Sequence, residues 1–392
     1  MSAERSVEQL YRGEQGYVSL DAVEHNGQRG AILRYANPNR ARLHAVDTQG
    51  MLEMEEAVSV LEQDQSLQFC LLSGSYDLVH AGADITEFRG ECDVDAIHRH
   101  LSRGTSLDTR IKALWSRMRT VGVLTGDRYG GSVEWPLFAQ WAICDKDTLI
   151  QLSEVLLGII PGWNGILNIM LKCGPERAKW MGQTGNTLKA EQMLEYGIVQ
   201  QVVDTPDQPD RKAVSGDDWE AAWQAHAAKA EPLLINAALD LATQSAEPVR
   251  NSEFAEGDSG AAARQALLDS LSAEIAERTS VERYRELHDK VAKEAAALRK
   301  AEDLDGLKAL SKSALKDVVS LGKPLAPLAV KAVGRFVDTW SRRSQAEILA
   351  DYEEIGQMEA ELCASLMETE HRRLGVHAVL SRNPEDKVPV FD

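Results

Sequence analysis

Three short stretches in the first half of the 392-residue chain carry residue types that can do chemistry. The first, His80-Ala81-Gly82-Ala83-Asp84-Ile85-Thr86-Glu87-Phe88, follows an apolar run and opens an amphipathic one. A glycine, small residues and an acid at such a junction expose backbone N–H groups where a helix dipole favours negative charge. Asp84 taken alone also fits a plain helix cap. The second stretch, Thr125-Gly126-Asp127-Arg128-Tyr129-Gly130-Gly131-Ser132-Val133-Glu134, holds a glycine pair that lets backbone come close to a ligand. The third, Leu152-Ser153-Glu154-Val155-Leu156-Leu157-Gly158-Ile159-Ile160-Pro161-Gly162-Trp163-Asn164-Gly165, sets one carboxylate in an apolar run. Such a setting raises a carboxyl pKa and suits proton transfer.

The elements that must position these stretches alternate. Gly30–Tyr35 and Leu67–Leu72 read as strands, and Asp47–Leu61 between them has helical spacing with Asp47 as its cap. Strand, helix, strand and a glycine loop predict an α/β layer with crossover connections. The chain then changes character: 20 of its 28 glycines fall in residues 1–205 and eight beyond. Residues 204–215 are polar, with two prolines, and read as a linker or a long loop. After them, 219–229, 232–243, 261–278, 281–300, 304–321, 325–340 and 346–369 all show helical periodicity, with Pro232 placed for a first turn. The expected organisation is therefore a core over 1–205 and an all-helical region over 206–392.

Composition excludes several classes. At 44% hydrophobic and 27% charged residues the chain is neither disordered nor collagen-like. No run is long and apolar enough for a bilayer, so no membrane association is expected. A net charge of −18 repels polyphosphate, which argues against nucleic acid as a partner. The first residues lack the apolar core of a signal peptide. The five cysteines (Cys70, Cys92, Cys144, Cys173, Cys363) show no Cys-x-x-Cys pair, so a reducing cytoplasm is expected and no metal. His44 and His80 read as packing or hydrogen-bonding residues, because no acid stands at a spacing that suggests a dyad.

Taken together and in order, Ala81-Gly82-Ala83-Asp84, Thr125-Gly126 through Gly130-Gly131 to Glu134, and Glu154 through Gly158 to Pro161-Gly162 resemble the enoyl-CoA hydratase/isomerase (crotonase) superfamily. The resemblance covers roughly residues 18–205, with 174–179 and 189–203 similar to the family's segment beyond its active site. Glu134 and Glu154 keep the family's interval between two catalytic glutamates without a gap. The resemblance implies a ββα spiral core and an acyl-CoA thioester substrate, coenzyme A entering only as part of that substrate and no other cofactor. Ala83 and Gly131 would supply the backbone N–H groups of an oxyanion hole. Glu134 and Glu154 would share the handling of water and proton. Arg42, Leu43, Asp84, Ile85 and Thr86 would line the coenzyme A channel, with Gly130, Trp135 and Trp163 beside the acyl group. A homo-oligomer, a trimer or a pair of trimers, is implied as well.

The chain departs from the family pattern in places. Ser132 replaces a third glycine. Trp135 follows the first glutamate, and Ser153 stands where proline precedes the second. Trp163 and Asn164 interrupt a run of small residues. Asp127, Arg128 and Tyr129 sit where small apolar residues are common, and Gln140 where an aspartate is usual. Trp135 and Trp163 fit either a reshaped acyl pocket, suited to a bulky or cyclic group, or core packing. His371–Leu380 resembles the ending of the superfamily, of its 3-hydroxyisobutyryl-CoA hydrolases in particular, so helices over roughly 245–345 read as an insertion. Glu134 and Gly162 at their positions, and the presence of two acids, favour hydration chemistry. Isomerisation, C–C or ring cleavage of an alicyclic or aromatic-derived CoA ester, and a non-catalytic oligomeric scaffold stay open.

Overall fold

The computed structural model describes residues 8–90, 93–216, 218–245 and 258–392. Contacts divide the chain into two compact units that interleave in sequence. The first comprises 1–84, 103–151 and 187–255, and the second 85–102, 152–186 and 256–392. The division follows contact rather than chain order.

The first unit holds every strand of the described residues. In chain order these are β1 (Glu8–Arg12), β2 (Val18–His25), β3 (Gln28–Tyr35), β4 (Phe69–Gly74), β5 (Val79–His80), β6 (Arg119–Leu124), β7 (Asp127–Tyr129), β8 (Trp141–Asp145), β9 (Leu149–Gln151), β10 (Thr187–Lys189) and β11 (Gln201–Val203). A seven-stranded sheet runs β1-β2-β3-β4-β6-β8-β11, and a four-stranded one runs β10-β9-β7-β5. Three successive pairs, β4/β5, β6/β7 and β8/β9, each give their first strand to the large sheet and their second to the small one. That repeat is the spiral the resemblance implies. The short turn within each pair lets one strand run through the core and the next carry a loop to a common rim.

The helix expected over 47–61 spans Thr48–Gln63, and the Asp47 side chain accepts from Gly50 N at 2.9 Å. It buries Met51, Met54, Ala57, Val58 and Leu61 at helical spacing. Its Glu53, also buried, accepts from the backbone N–H groups of Gln15, Tyr17 and Val18 at 2.7, 2.8 and 3.1 Å. Glu53→Ala removes the acceptor of three backbone donors, of which Val18 is buried, and the expected result is a loss of about 2 kcal/mol in urea unfolding. An unchanged midpoint would show those donors find other acceptors.

The stretches 219–229 and 232–243 form one helix, Trp219–Thr243, with Pro232 inside it rather than at a first turn. Proline removes a helical hydrogen bond, a cost that tertiary burial here outweighs. Trp223, Leu234, Ile235, Ala238 and Leu239 pack on Phe69, Leu71, Val121, Val123 and Ile143 of the large sheet. This helix packs on the large sheet within the first unit and is the first of the helices that follow the α/β core.

Among the described residues the second unit contains helices and turns without strands. Gly165–Cys173 and Pro175–Thr184 pair with each other, and Pro327–Trp340 lies against the latter, where Gln183 donates to Val330 O at 2.8 Å. Asp258–Arg278, Val281–Lys300 and Leu304–Leu321 match three of the expected helices, and the last two share a core of Tyr284, Val291, Ala295, Leu310, Ala314 and Val318. The stretch expected as one helix over 346–369 breaks at Asp351 into Gln345–Ala350 and Tyr352–Met367, the Asp351 carboxylate being held by the Arg343 guanidinium. Residues 246–257 of the expected insertion lie outside the described residues.

Candidate active site

Two loops of the first unit meet at the ends of β5 and β7. The first, residues 81–84, is fastened to the strap Leu43–Val46. Ala81 N donates to Leu43 O at 2.8 Å, Val46 N to Gly82 O at 2.9 Å and Asp84 N to Val46 O at 2.9 Å. Val46 and Ala83 form an isolated parallel bridge, in which the residues on either side of Ala83 make both bonds. The Ala83 N–H therefore points to the opposite side.

The second loop enters the short helix Gly131–Glu134. Gly130 N donates to Gln151 O at 3.0 Å, while Val133 N and Glu134 N turn back onto Gly130 O. Gly131 is the first residue of the helix, so its N–H has no carbonyl one turn earlier to bond. Among the described residues no backbone carbonyl accepts from Ala83 N or Gly131 N. The loops touch: a Cβ on Gly82 would lie 2.7 Å from Gly131 N and 2.7 Å from Tyr129 O. Only a glycine permits that approach. Ser132, where the family pattern has glycine, sews the loops together. Its hydroxyl donates to His80 O at 2.7 Å and accepts from Tyr129 N at 3.0 Å.

Below the loops, β5 and β7 pair His80 with Arg128 in register, so both face the same side of the small sheet. Arg128 is wholly buried and donates to Thr125 O at 3.1 Å and Ser132 O at 2.9 Å. Burial pushes its guanidinium down to about 9. Burial, then the Arg128 charge, holds His80 well below the ordinary histidine range, so it is neutral at pH 7. Asp127 and Tyr129 project to the other face of β7, and burial raises both.

The histidines have the acid that sequence spacing does not reveal. Asp77 Oδ2 lies 3.2 Å from His44 Nε2, and the His44 ring stacks on His80 with centroids 5.1 Å apart. Nothing marks Asp77 beforehand, because it reaches His44 only once the strap is folded against the loop.

The other expected site residues divide between the units. In the first, Glu134 is buried at 3% exposure and Trp135 packs edge-on against Tyr35, centroids 6.4 Å apart. Arg42 donates to the Asp84 carboxylate, and the Leu43 side chain is half exposed. Asp84 is thus engaged as an ion-pair partner of the strap. In the second unit, Ile85 and Thr86 begin a 3-10 turn, Ile85–Phe88. Glu154 begins another, Glu154–Leu157, and is buried at 7% exposure. Ala326 N donates to Val155 O at 3.2 Å, and helix Glu370–Leu380 lies on the same turn. There Gly375 allows contact, since a Cβ on it would stand 2.5 Å from Leu157 C. Arg372 of that helix, also buried, donates to Phe88 O at 2.8 Å and Gly90 O at 2.6 Å. Trp163 is buried against His100, ring centroids 5.2 Å apart.

Glu359, which the sequence does not single out, accepts from Ile166 N at 2.9 Å and Leu167 N at 3.0 Å and so caps helix Gly165–Cys173. Cys70, Cys144, Cys173 and Cys363 are buried free thiols, and Cys92 lies outside the described residues. Among the described residues no group of three or more His, Cys, Asp or Glu side chains could hold a metal ion, and no helix is long and apolar enough to cross a membrane.

An α/β spiral of paired strands followed by helices defines a crotonase-type fold. The enoyl-CoA hydratase/isomerase family pattern matches residues 35–289, well over half of the chain. The chain belongs to that family. The match runs past residue 205, beyond the span of the resemblance read from the motifs. Among solved structures, an enoyl-CoA hydratase from Rhodobacter sphaeroides 2.4.1 is similar at 15% identity and a TM-score of 0.58, over 94% of this chain and 91% of its own. An enoyl-CoA hydratase from Bacillus anthracis is 16% identical over 73% of this chain and 96% of its own, with a TM-score of 0.43. One from Thermoplasma volcanium GSS1 is 22% identical over 66% and 96%, also at 0.43.

Proposed function

We propose that the protein is a hydratase-type lyase that adds water to an unsaturated acyl-CoA, or removes it. The observation that carries this reading is the pair of amides, Ala83 and Gly131, on two touching loops with no backbone carbonyl accepting from either among the described residues. A thioester oxygen accepts from both. When water oxygen bonds to Cβ, the Cα=Cβ electron pair moves toward the carbonyl and negative charge gathers on that oxygen. Preorganised donors stabilise the charge more than they stabilise the neutral carbonyl. Glu134 and Glu154 share the two proton transfers: one, ionised, takes a proton from water as its oxygen attacks Cβ, and the other, protonated, gives its proton to Cα. The product carries OH at Cβ and H at Cα. The coenzyme A moiety passes along Arg42, Leu43, Asp84, Ile85 and Thr86.

The proposed setting is the cytoplasm and the proposed assembly a homo-oligomer. The test is a panel of 2-enoyl-CoA esters, straight-chain, branched and cyclic, followed by loss of the conjugated-enone absorbance and by mass spectrometry of the product. A mass gain of one water supports the reading. A shifted double bond without mass change, or cleavage of a ring, replaces it with isomerisation or C–C hydrolysis. Failure of every ester to bind in calorimetry removes the enzymatic reading in favour of a scaffold.

A further inference from the structure

Arg128 is an unusual residue to bury. A guanidinium out of water needs a counter-charge or a full set of acceptors. Among the described residues no carboxylate stands within ion-pair distance of it, and its partners are neutral: Thr125 O, Thr125 Oγ1 and Ser132 O. His80, paired in register with Arg128, is neutral and adds no charge. The acceptor Ser132 O lies one residue beyond Gly131, and the Ser132 hydroxyl bridges to His80 O at the end of β5, where the facing loop begins. A positive charge with no carboxylate within ion-pair distance is therefore bonded to the carbonyl of the residue that follows Gly131.

We infer that Arg128, acting through Ser132, is a positioning residue of the oxyanion loops whose charge is matched only when the thioester oxygen becomes an enolate. This rests on the oxyanion-hole reading above. The forked contacts to Thr125 and Ser132 lock both ends of the 125–132 segment, and the Ser132 hydroxyl carries that rigidity to the loop bearing Ala83. The same cation favours an anionic oxygen over a neutral one across a medium of low dielectric constant. Because the effect is specific to developing charge, it enters kcat and leaves ground-state binding nearly untouched. A guanidinium at about 9 is still protonated at neutral pH, so the charge is present where the reaction runs.

The experiment uses cinnamoyl-CoA, whose absorbance moves to longer wavelength when its thioester carbonyl is polarised, together with the best hydration substrate from the panel. Wild-type protein is expected to shift bound cinnamoyl-CoA to the red. Arg128→Met is expected to lose most of that shift and to lower kcat roughly 10- to 100-fold with KM little changed. Arg128→Lys, which keeps the charge and loses the fork, is expected to fall between the two. A red shift and kcat retained in full by Arg128→Met overturn this inference and leave the oxyanion-hole reading standing. No red shift in the wild type overturns both. Where Arg128→Met does not fold by circular dichroism, Ser132→Ala decides: a reduced shift and kcat at constant KM support the inference, and wild-type values overturn it.

Discussion

Glu134→Gln and Glu154→Gln are each expected to lower kcat by about two to four orders of magnitude while the Kd for an acyl-CoA changes little. Glutamine has the shape of glutamate and keeps its hydrogen-bonding oxygen, so burial and packing survive the substitution. What disappears is the ability to take or give a proton. In barrier terms the loss is roughly 3–5 kcal/mol for each residue. Glu134 is set by a short helix in the first unit and Glu154 by a 3-10 turn in the second, so each variant reports on its own supporting structure. The double variant should lose little beyond the worse single one, because residues that act as a unit are not additive. Undiminished turnover in either single variant rejects the role given to that residue.

Gly82→Val carries the second large effect. The new side chain would start 2.7 Å from Gly131 N and 2.7 Å from Tyr129 O, both backbone atoms of a turn tied at Gly130 and Ser132. Neither can move aside cheaply, so the two loops must part by several tenths of an ångström. That displaces one donor from the thioester oxygen, and kcat is expected to fall about 100- to 1000-fold. Affinity for free coenzyme A is expected to change less than kcat, because coenzyme A itself carries no thioester oxygen to engage the two amides. A melting curve run beside the kinetics separates a shifted donor from a lost fold. Wild-type turnover in folded Gly82→Val would show that the amides do not act together.

Much of this architecture is readable in the sequence. Asp47 and the apolar residues behind it define their helix, the glycine-rich turns mark the loops, and the order of motifs points to the spiral before any strand is paired. Other features are not legible for identifiable reasons. Pro232 looks like a helix start because local propensity says so, and only burial against the large sheet carries the helix through it. Glu53 and Glu359 look like surface acids on amphipathic helices. Each is an acceptor for backbone N–H groups from a segment far away in the sequence, which no spacing rule encodes. Asp77 escapes notice beside His44 in the same way. The tryptophans divide the two kinds of information: sequence places Trp135 and Trp163 next to motif residues, while packing seats them against Tyr35 and His100.

The seating of Glu154 also bears on how the molecule matures. Its turn is met by Ala326 from one helix and by Gly375 from another, segments that leave the ribosome long after the turn itself. A nascent chain halted before those helices would already possess the strands and both amide-bearing loops, yet its second acid would have no seat. Any competence to turn over a thioester would then be withheld until synthesis is nearly finished, so unfinished chains would stay inert.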